Sequence, residues 1–253
     1  MLTVAALIIL QDGFQTYRPL PRQAFMKPSW PEASSHHTDV QSVGGGLVLA
    51  DEDTLRIYAS SRSGLPHTPA PNQSPGGNRT MGFATLRRDG FVSVTDSGEC
   101  TKHINPTNHY IIAEPSRGML LTRPLIWEPH LSHFFVNAEI RRGGFLTVEL
   151  VDCSSGEPKV LAGFGGLESA VGTLAPGRVV AADFSSTRAL VQWGSANLSS
   201  VAGGPVRIRF RLSAAQLFSF WVSDSTCGAS RGDIGAGGPG TEGGRDMHGS
   251  CAP

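Results

Sequence analysis

Acidic residues are frequent in the first part of this chain, and a suitably spaced pair of them could cleave glycosidic bonds. In such a pair one acid protonates the leaving oxygen while the other attacks the sugar or activates water. Asp12 and Asp89 each precede a glycine and are typical turn formers, and a polar turn between two strands accounts for Asp51 to Asp53. The sequence therefore assigns no catalytic residue. The candidates are Asp12, Asp39, Asp51, Glu52, Asp53, Asp89, Asp96 and Glu99.

Histidines and glycines offer two further kinds of site, a metal centre and a phosphate loop. His36 and His37 stand near Asp39, but neighbouring residues of an extended chain point to opposite sides and rarely bind one ion together. The glycines of "SVGGGLVLA" lack the lysine and hydroxyl residue that a phosphate loop requires. We predict neither a metal nor a cofactor.

Arginines and aromatic side chains could bind sugars or anions. Arg207, Arg209 and Arg211 alternate with apolar residues in "VRIRFRL", so they share one strand face. They could hold an anionic or sugar ligand, but a solvated face whose arginine stems cover apolar surface is the favoured interpretation. Aromatic rings could stack on sugars, although an aromatic residue in a β-protein usually packs in the core. The aromatic candidates are Tyr17, Trp30, Tyr58, Trp127, Trp193 and Trp221.

Short strands separated by turns are the pattern of residues 1–95. An Asp-Gly pair between apolar runs is a strong hairpin signal. It occurs twice before a phenylalanine, at Asp12-Gly13-Phe14 and at Asp89-Gly90-Phe91. A surface loop is predicted for residues 64–78, and an irregular linker or insertion for residues 96–117.

From residue 118 onward, apolar and polar residues alternate more regularly. "HFFVNAEI" and "FLTVELV" each have one apolar face, and the intervening residues 141–144 predict a turn between them. With "TRALVQW", "VRIRFRL" and the interior strand "LFSFWV", this pattern predicts an antiparallel sheet covered on one face. There are enough strands in residues 118–223 for a β-sandwich. Residues 224–253 are rich in glycine and poor in apolar residues, so we expect a disordered tail.

Charge and cysteine content limit the partners. Lysine and arginine number 21, and aspartate and glutamate also number 21. No overall electrostatic field would attract nucleic acid or an anionic membrane. The opening run "MLTVAALIIL" is too short to span a bilayer and lacks the features of a signal peptide.

The four cysteines have no C-x-x-C spacing, and their pairing stays open. Three N-glycosylation sequons, at Asn72, Asn78 and Asn197, favour secretion.

Several segments in order resemble glycoside-hydrolase-like proteins of the five-bladed β-propeller superfamily, which includes glycoside hydrolase families 32 and 43. They run from "LQDGFQTYRP" and "DVQSVGGGLVL" through "LRIYASSRSG" and "MGFATLRRDGFVSV" to "FFVNAE", "LTVELVD" and "PVRIRFRLSAAQLFSFWV". Proteins of that type carry a β-sandwich after the propeller. The resemblance implies an all-β chain with a partial β-propeller, the last one or two blades, in residues 1–95. The β-sandwich would then occupy residues 118–223.

Catalytic motifs of that family are missing from this sequence. The Trp-x-Asn-Asp-Pro-Asn motif that carries the nucleophile does not occur, and "RRDG" has glycine where the Arg-Asp-Pro motif has proline. Glu99 in "GEC" echoes the acid/base motif but follows the last propeller strand. The resemblance implies substrate-binding roles only for Gln41 and Arg62, which lie in segments similar to later propeller strands.

Three functions follow as hypotheses. The first is the C-terminal fragment of a glycosidase-like carbohydrate-active protein, not catalytically competent alone. The alternative is a non-enzymatic carbohydrate-binding or structural β-sandwich module. The third is a defective gene product or pseudoenzyme with only a structural role. The sequence leaves open whether the chain is an enzyme, and it predicts carbohydrate rather than nucleic acid or membrane as the partner.

Overall fold

The computed structural model describes residues 9–11, 15–17, 37–63, 79–91, 93–96, 118–152, 158–166, 169–171, 182–232, 236–237, 241–243 and 245–247. In this part of the chain the regular elements are strands and one four-residue 3-10 helix. The predicted all-β class is confirmed. None of the described helical residues forms a segment long and apolar enough to cross a membrane.

The strands are short at the beginning and end of the chain and long in its centre. The first seven are β1 (Ile9–Gln11), β2 (Gln15–Tyr17), β3 (His37–Leu49), β4 (Thr54–Ser63), β5 (Arg79–Arg87), β6 (Val94–Thr95) and β7 (Gly118–Leu121). The central ones are β8 (His133–Asp152), β9 (Lys159–Val160), β10 (Ser169–Val171), β11 (Phe184–Trp193) and β12 (Arg207–Ser223). The last are β13 (Ala236–Gly237), β14 (Thr241–Glu242) and β15 (Arg245–Asp246), and the 3-10 helix is Leu198–Val201.

Contacts divide the chain into two units. The first consists of residues 1–86 with 235–238, and the second of residues 87–234 with 239–253. The predicted boundary at residue 95 differs, because Val94 and Thr95 of β6 pair with Leu217 and Gln216 of the second unit. Of the predicted linker 96–117, only Asp96 is described. Its carboxylate accepts a hydrogen bond from the backbone N–H of Ala214.

The first unit contains a hairpin and a four-stranded sheet. β1 and β2 are antiparallel, with Gln11 opposite Gln15. The hairpin predicted around the first Asp-Gly pair is therefore present, although residues 12–14 themselves lie outside the described residues. The sheet has the order β13-β3-β4-β5. β3 and β4 are antiparallel, and β13 joins β3 in parallel.

The second Asp-Gly pair does not form the predicted hairpin. A turn is present, since the Gly90 N–H donates to the Arg87 carbonyl and Asp89 has φ 51°. Space also requires glycine at position 90, where a Cβ would lie 2.7 Å from the Cβ of Arg87. However, β5 belongs to the four-stranded sheet and β6 to another. The turn residues set the local reversal, but not the strand with which the following residues pair.

The second unit is built on one seven-stranded sheet with the path β10-β11-β8-β12-β6, in which β7 also pairs with β12 and β9 with β8. β8 and β12 are antiparallel over most of their length, with Leu150 opposite Ile208 and Val148 opposite Phe210. "HFFVNAEI" and "FLTVELV" belong to one continuous strand rather than to two strands joined by a turn. Residues 141–144 instead form a bulge opposite Ala214, where Gly143 has φ 82° and Ala214 has φ 45°.

One hydrophobic core lies in this unit, and both halves of β8 and of β12 contribute to it. The apolar faces predicted from sequence lie in this core. The opposite face of β8 was expected to be uncovered, but it is buried as well, at Phe135, Asn137, Thr147, Glu149 and Val151. Trp193 is 3% exposed, and its indole N–H donates to the Val148 carbonyl at 2.8 Å. The strand residues of the core include Phe134, Val136, Ala138, Ile140, Leu146, Val148, Leu150, Ile208, Phe210, Leu212, Ala215 and Leu217.

The start of the glycine-rich tail is ordered, which differs from the predicted disorder. The Ala229 carbonyl accepts a hydrogen bond from the Ser223 hydroxyl, and the Ala229 side chain is 1% exposed. The Gly228 carbonyl accepts from the Trp221 indole, and Gly228 has φ 78°. Cys227 takes part in a disulfide bond. Individual contacts hold this segment, and composition does not reveal them.

Candidate functional site

The outward side of β4 and β5 carries exposed aromatic and apolar side chains. Successive side chains of a strand point to opposite faces. On β4, Leu55 and Ala59 are buried while Tyr58 is 40% exposed, and on β5, Met81 and Phe83 are 70% and 46% exposed. Tyr58, Met81 and Phe83, together with Arg56, form what we call the aromatic face. Isolated exposed apolar residues are ordinary, but a contiguous group is typical of a binding surface.

Geometry makes the aromatic face a small platform with one cation beside it. The rings of Tyr58 and Phe83 have centroids 5.9 Å apart and meet edge to face at 61°. The guanidinium carbon of Arg56 lies 4.9 Å from the centroid of Phe83. The Arg56 Nε–H is buried and has no hydrogen-bond acceptor among the described residues. This arrangement provides an apolar surface, a phenol and a charged donor within one patch.

The two predicted substrate-binding residues lie on the strands of the same sheet. Gln41 of β3 is opposite Ser60 of β4, and Arg62 of β4 is opposite Asp39 of β3. The structure describes their backbone only. It thus brings the backbone positions of Gln41 and Arg62 onto neighbouring strands, and Arg62 lies four residues after Tyr58 in β4.

The described carboxylates of the first unit belong to a turn, as predicted. The Ala50 N–H donates to the Thr54 carbonyl, and the Asp51 carboxylate accepts from the Asp53 N–H at 2.9 Å. This backbone hydrogen bond, with a second from the Thr54 side chain, holds the pKa of Asp51 below its ordinary value. Asp51, Glu52 and Asp53 are exposed. Asp12 and Glu99 lie outside the described residues, and only the backbone of Asp39 is described.

Two carboxylates of the second unit lie on either side of Arg88. Arg88 is 6% exposed and forms an ion pair with Asp246, and its Nε lies 3.9 Å from Asp89. Burial raises the pKa of Asp89, and the charge of Arg88 opposes that rise. Asp246 also accepts from the Ser230 hydroxyl at 2.8 Å. Asp246 is therefore the close partner of the buried guanidinium, which indicates a structural role, whereas the Asp89 side chain is 55% exposed and lies at the limit of an ion pair.

Arg87 is surrounded by hydrogen-bond acceptors in the second unit. It donates to the Asn137 side chain at 2.6 Å and to the Ser185 hydroxyl at 2.8 Å, and it forms an ion pair with Glu139 at 3.2 Å. The Asn137 amide in turn donates to the Arg88 carbonyl at 2.6 Å. Asn137 is fully buried. We call these residues, with Arg88 and Asp246, the arginine cluster, and its saturated contacts indicate that it stabilises the fold.

The arginine face of β12 is organised around a carboxylate that the sequence pattern did not single out. Glu149 of β8 lies directly opposite Arg209 and forms ion pairs with Arg209 and, at 3.3 Å, with Arg211. Its other oxygen accepts from the Gly166 N–H. The register of β8 against β12 would have revealed this pairing, but the register depends on the bulge at residues 141–144. Glu149 occupies the position that an anionic ligand of Arg209 would take.

The other aromatic candidates are packed or lie outside the described side chains. Trp127 and Trp193 belong to the core, and Trp221 stacks on Phe135 with centroids 5.5 Å apart. Only the backbone of Tyr17 is described, and Trp30 lies outside the described residues. Tyr58 is thus the aromatic candidate that the described part of the chain exposes.

The histidine candidates contribute no side chain to the described part of the chain. Among the side chains that are described, no three histidine, cysteine or acidic groups lie close enough together to hold an ion. His37 is described as backbone in β3, and His36 lies outside the described residues.

Comparison with known proteins gave no relative. No protein-family model, curated protein or solved structure matches the chain. The resemblance to the propeller glycosidases stays a prediction, and among the described residues the aromatic face is the surface that suggests a function.

Proposed function

We propose that this chain is a carbohydrate-binding protein and that the aromatic face receives a sugar ring. One observation carries the proposal: Tyr58 and Phe83 are neighbours, in edge-to-face contact, and both are exposed on a sheet. A pyranose or furanose presents C–H groups on one side and hydroxyls around its edge. Aromatic rings bind the apolar side, while a phenol and a guanidinium donate to the hydroxyls.

The predicted segments resembling propeller glycosidases support the same chemical class. In this proposal β3, β4 and β5 correspond to strands of a terminal propeller blade, and the seven-stranded sheet folds as an accessory β-sandwich. The parallel strand β13 is an addition that a blade does not require. Gln41 and Arg62 would extend the sugar site along β3 and β4.

Binding is a better proposal than hydrolysis. A glycosidase needs two carboxyl groups on opposite sides of the scissile bond. The acids described nearest in sequence to the aromatic face are Asp51, Glu52 and Asp53, in the turn before β4, and Asp51 is engaged in its own turn. The acids Asp89 and Asp246 flank Arg88. The proposed activity is therefore retention of a glycan without cleavage.

Glycan binding by the full chain tests the proposal. The probes are fructan, arabinan and uronic-acid oligosaccharides, with affinity measured by calorimetry and products followed by chromatography. Replacing both Tyr58 and Phe83 with alanine removes two aromatic contacts of about 1 kcal/mol each. We expect about 30-fold weaker binding.

Ile126→Ala is the matched control, because Ile126 is 67% exposed in the second unit and lies outside the aromatic face. This variant should bind as the unaltered chain does. Equal affinity of the double variant and the control, or no binding to any of the probes, would contradict the proposal. Released sugar would replace binding with hydrolysis as the function.

A further inference from the structure

The sequon Asn197-Leu198-Ser199 lies in the connection between β11 and β12, at the start of the 3-10 helix. Asn197 is exposed, whereas Leu198 is 2% exposed and belongs to the hydrophobic core. The buried leucine fixes the segment on the surface of the second unit. The asparagine side chain consequently stays at the surface while its neighbour is held inside.

The two polar atoms of the Asn197 side chain have different roles. Its Oδ1 accepts a hydrogen bond from the Ser199 N–H at 2.9 Å. Its Nδ2 donates to no acceptor among the described residues, and the residue is exposed. N-linked sugar is attached to Nδ2, and an alkylated amide keeps its carbonyl oxygen. A glycan on Asn197 would thus leave the hydrogen bond to Ser199 intact.

The Ser199 hydroxyl, the other essential group of the sequon, is engaged in the folded chain. It donates to the Pro129 carbonyl at 2.9 Å. The transferase that attaches the glycan must contact this hydroxyl. It can therefore act on the segment only before the hydrogen bond to the Pro129 carbonyl forms. Modification would therefore precede folding of the second unit, and the finished fold would display the product.

The disulfide of the chain agrees with the compartment in which an N-linked glycan would be attached. Cys227 is disulfide-bonded, and structural disulfides form and persist in oxidising compartments such as the secretory pathway. Asparagine-linked glycosylation takes place in the same pathway. The disulfide and the exposed sequon are independent observations, and both agree with that pathway.

We propose that Asn197 carries an N-linked glycan. In the transfer, Nδ2 of Asn197 attacks the anomeric carbon of an oligosaccharide linked to a lipid pyrophosphate. A C–N bond forms and the bond from the anomeric carbon to the phosphate oxygen breaks. The amide releases one proton, and the lipid pyrophosphate leaves with the electron pair.

The test uses the full chain, expressed in eukaryotic cells behind a cleavable secretion leader. Secreted and cell-retained protein are analysed by intact mass before and after removal of N-glycans with an amidase. Peptide mapping then assigns each occupied asparagine. We expect the peptide containing Asn197 to carry glycan, and the amidase to convert that residue to aspartate. A chain whose Asn197 is unmodified in both fractions overturns the proposal, whatever the state of Asn72 and Asn78.

Three variants distinguish loss of the glycosylation signal from loss of the folded structure. Asn197→Asp keeps an oxygen that can accept from the Ser199 N–H but has no amide nitrogen, so it should fold and lose the glycan at this site. Ser199→Thr keeps the hydroxyl and should retain the glycan, whereas Ser199→Ala should lose it. Retention of the full glycan mass in Asn197→Asp, or its loss in Ser199→Thr, would contradict the assignment.

Discussion

Aromatic residues occur in the sheets of both units, but they have opposite surroundings. In the seven-stranded sheet Phe134 and Phe210 are at most 1% exposed and pack with Trp193 and Phe220. In the four-stranded sheet Tyr58 and Phe83 contact each other and are 40% and 46% exposed. The same residue types therefore stabilise one sheet and are available to a ligand on the other. Exposure, and not residue type, separates the two roles.

The largest effect expected is on the core. Phe210→Ala removes a fully buried ring that contacts Phe134 and Phe220, and such a change costs about 3–5 kcal/mol of stability. Urea unfolding followed by tryptophan fluorescence measures it, since Trp127, Trp193 and Trp221 lie in the second unit. Sugar binding by any protein that remains folded should be unchanged. A loss below about 1 kcal/mol would contradict the assigned core.

The arginine cluster should give the next largest effect. Asn137→Ala leaves the Arg88 carbonyl and the Arg87 Nε–H without their partner in a buried site, at a cost of about 1–3 kcal/mol. The same unfolding measurement applies. Glu139→Gln is the matched control, because the Glu139 side chain is 44% exposed and loses only an ion pair. If the two variants were equally stable, the cluster would not contribute as described.

The aromatic face should contribute little to stability. Replacing Tyr58 and Phe83 with alanine removes one cross-strand aromatic pair, which is worth about 0.2–1 kcal/mol. Calorimetric unfolding should show this small shift while sugar affinity falls. A destabilisation as large as that of Phe210→Ala would make the pair a structural element and remove the contrast between the two sheets.

The smallest effect expected is a pH-dependent one at Asp89. Burial raises the pKa of Asp89, so the folded state holds the proton more tightly than the unfolded state and loses stability as pH rises through that pKa. Asp89→Asn removes this penalty and suits the positive φ of the position. The variant should melt slightly higher at neutral pH, and the difference should vanish below the ordinary value of 3.8. A lower melting temperature of Asp89→Asn than of the unaltered chain at neutral pH would show that ionised Asp89 stabilises the fold, and would contradict the prediction.

Sequence patterns predicted which face of a strand lies in the core better than they predicted which residues pair across strands. Alternation identified the core-facing residues of "HFFVNAEI" and "FLTVELV" but did not reveal that their opposite face is buried too. Residues 141–144 were predicted as a turn and are a bulge within β8. The carboxylate that pairs with the arginines of β12, Glu149, was overlooked because its position opposite Arg209 depends on that bulge. Among the aromatic candidates, periodicity did not separate the exposed Tyr58 from the buried Trp127 and Trp193.

By itself, the sequence determined the all-β class, the core-facing sides of the long strands and the chain reversals at the two Asp-Gly pairs. These are local properties, because period-two alternation and the φ angles of Asp-Gly pairs involve only adjacent residues. The tertiary structure alone decided that β5 and β6 join different sheets on either side of the second Asp-Gly-Phe. It also decided that Arg88 finds its partner in Asp246, and that Tyr58 and Phe83 meet on an open face. Each of these depends on residues far apart in the chain, whose pairing is set by the packing of whole sheets.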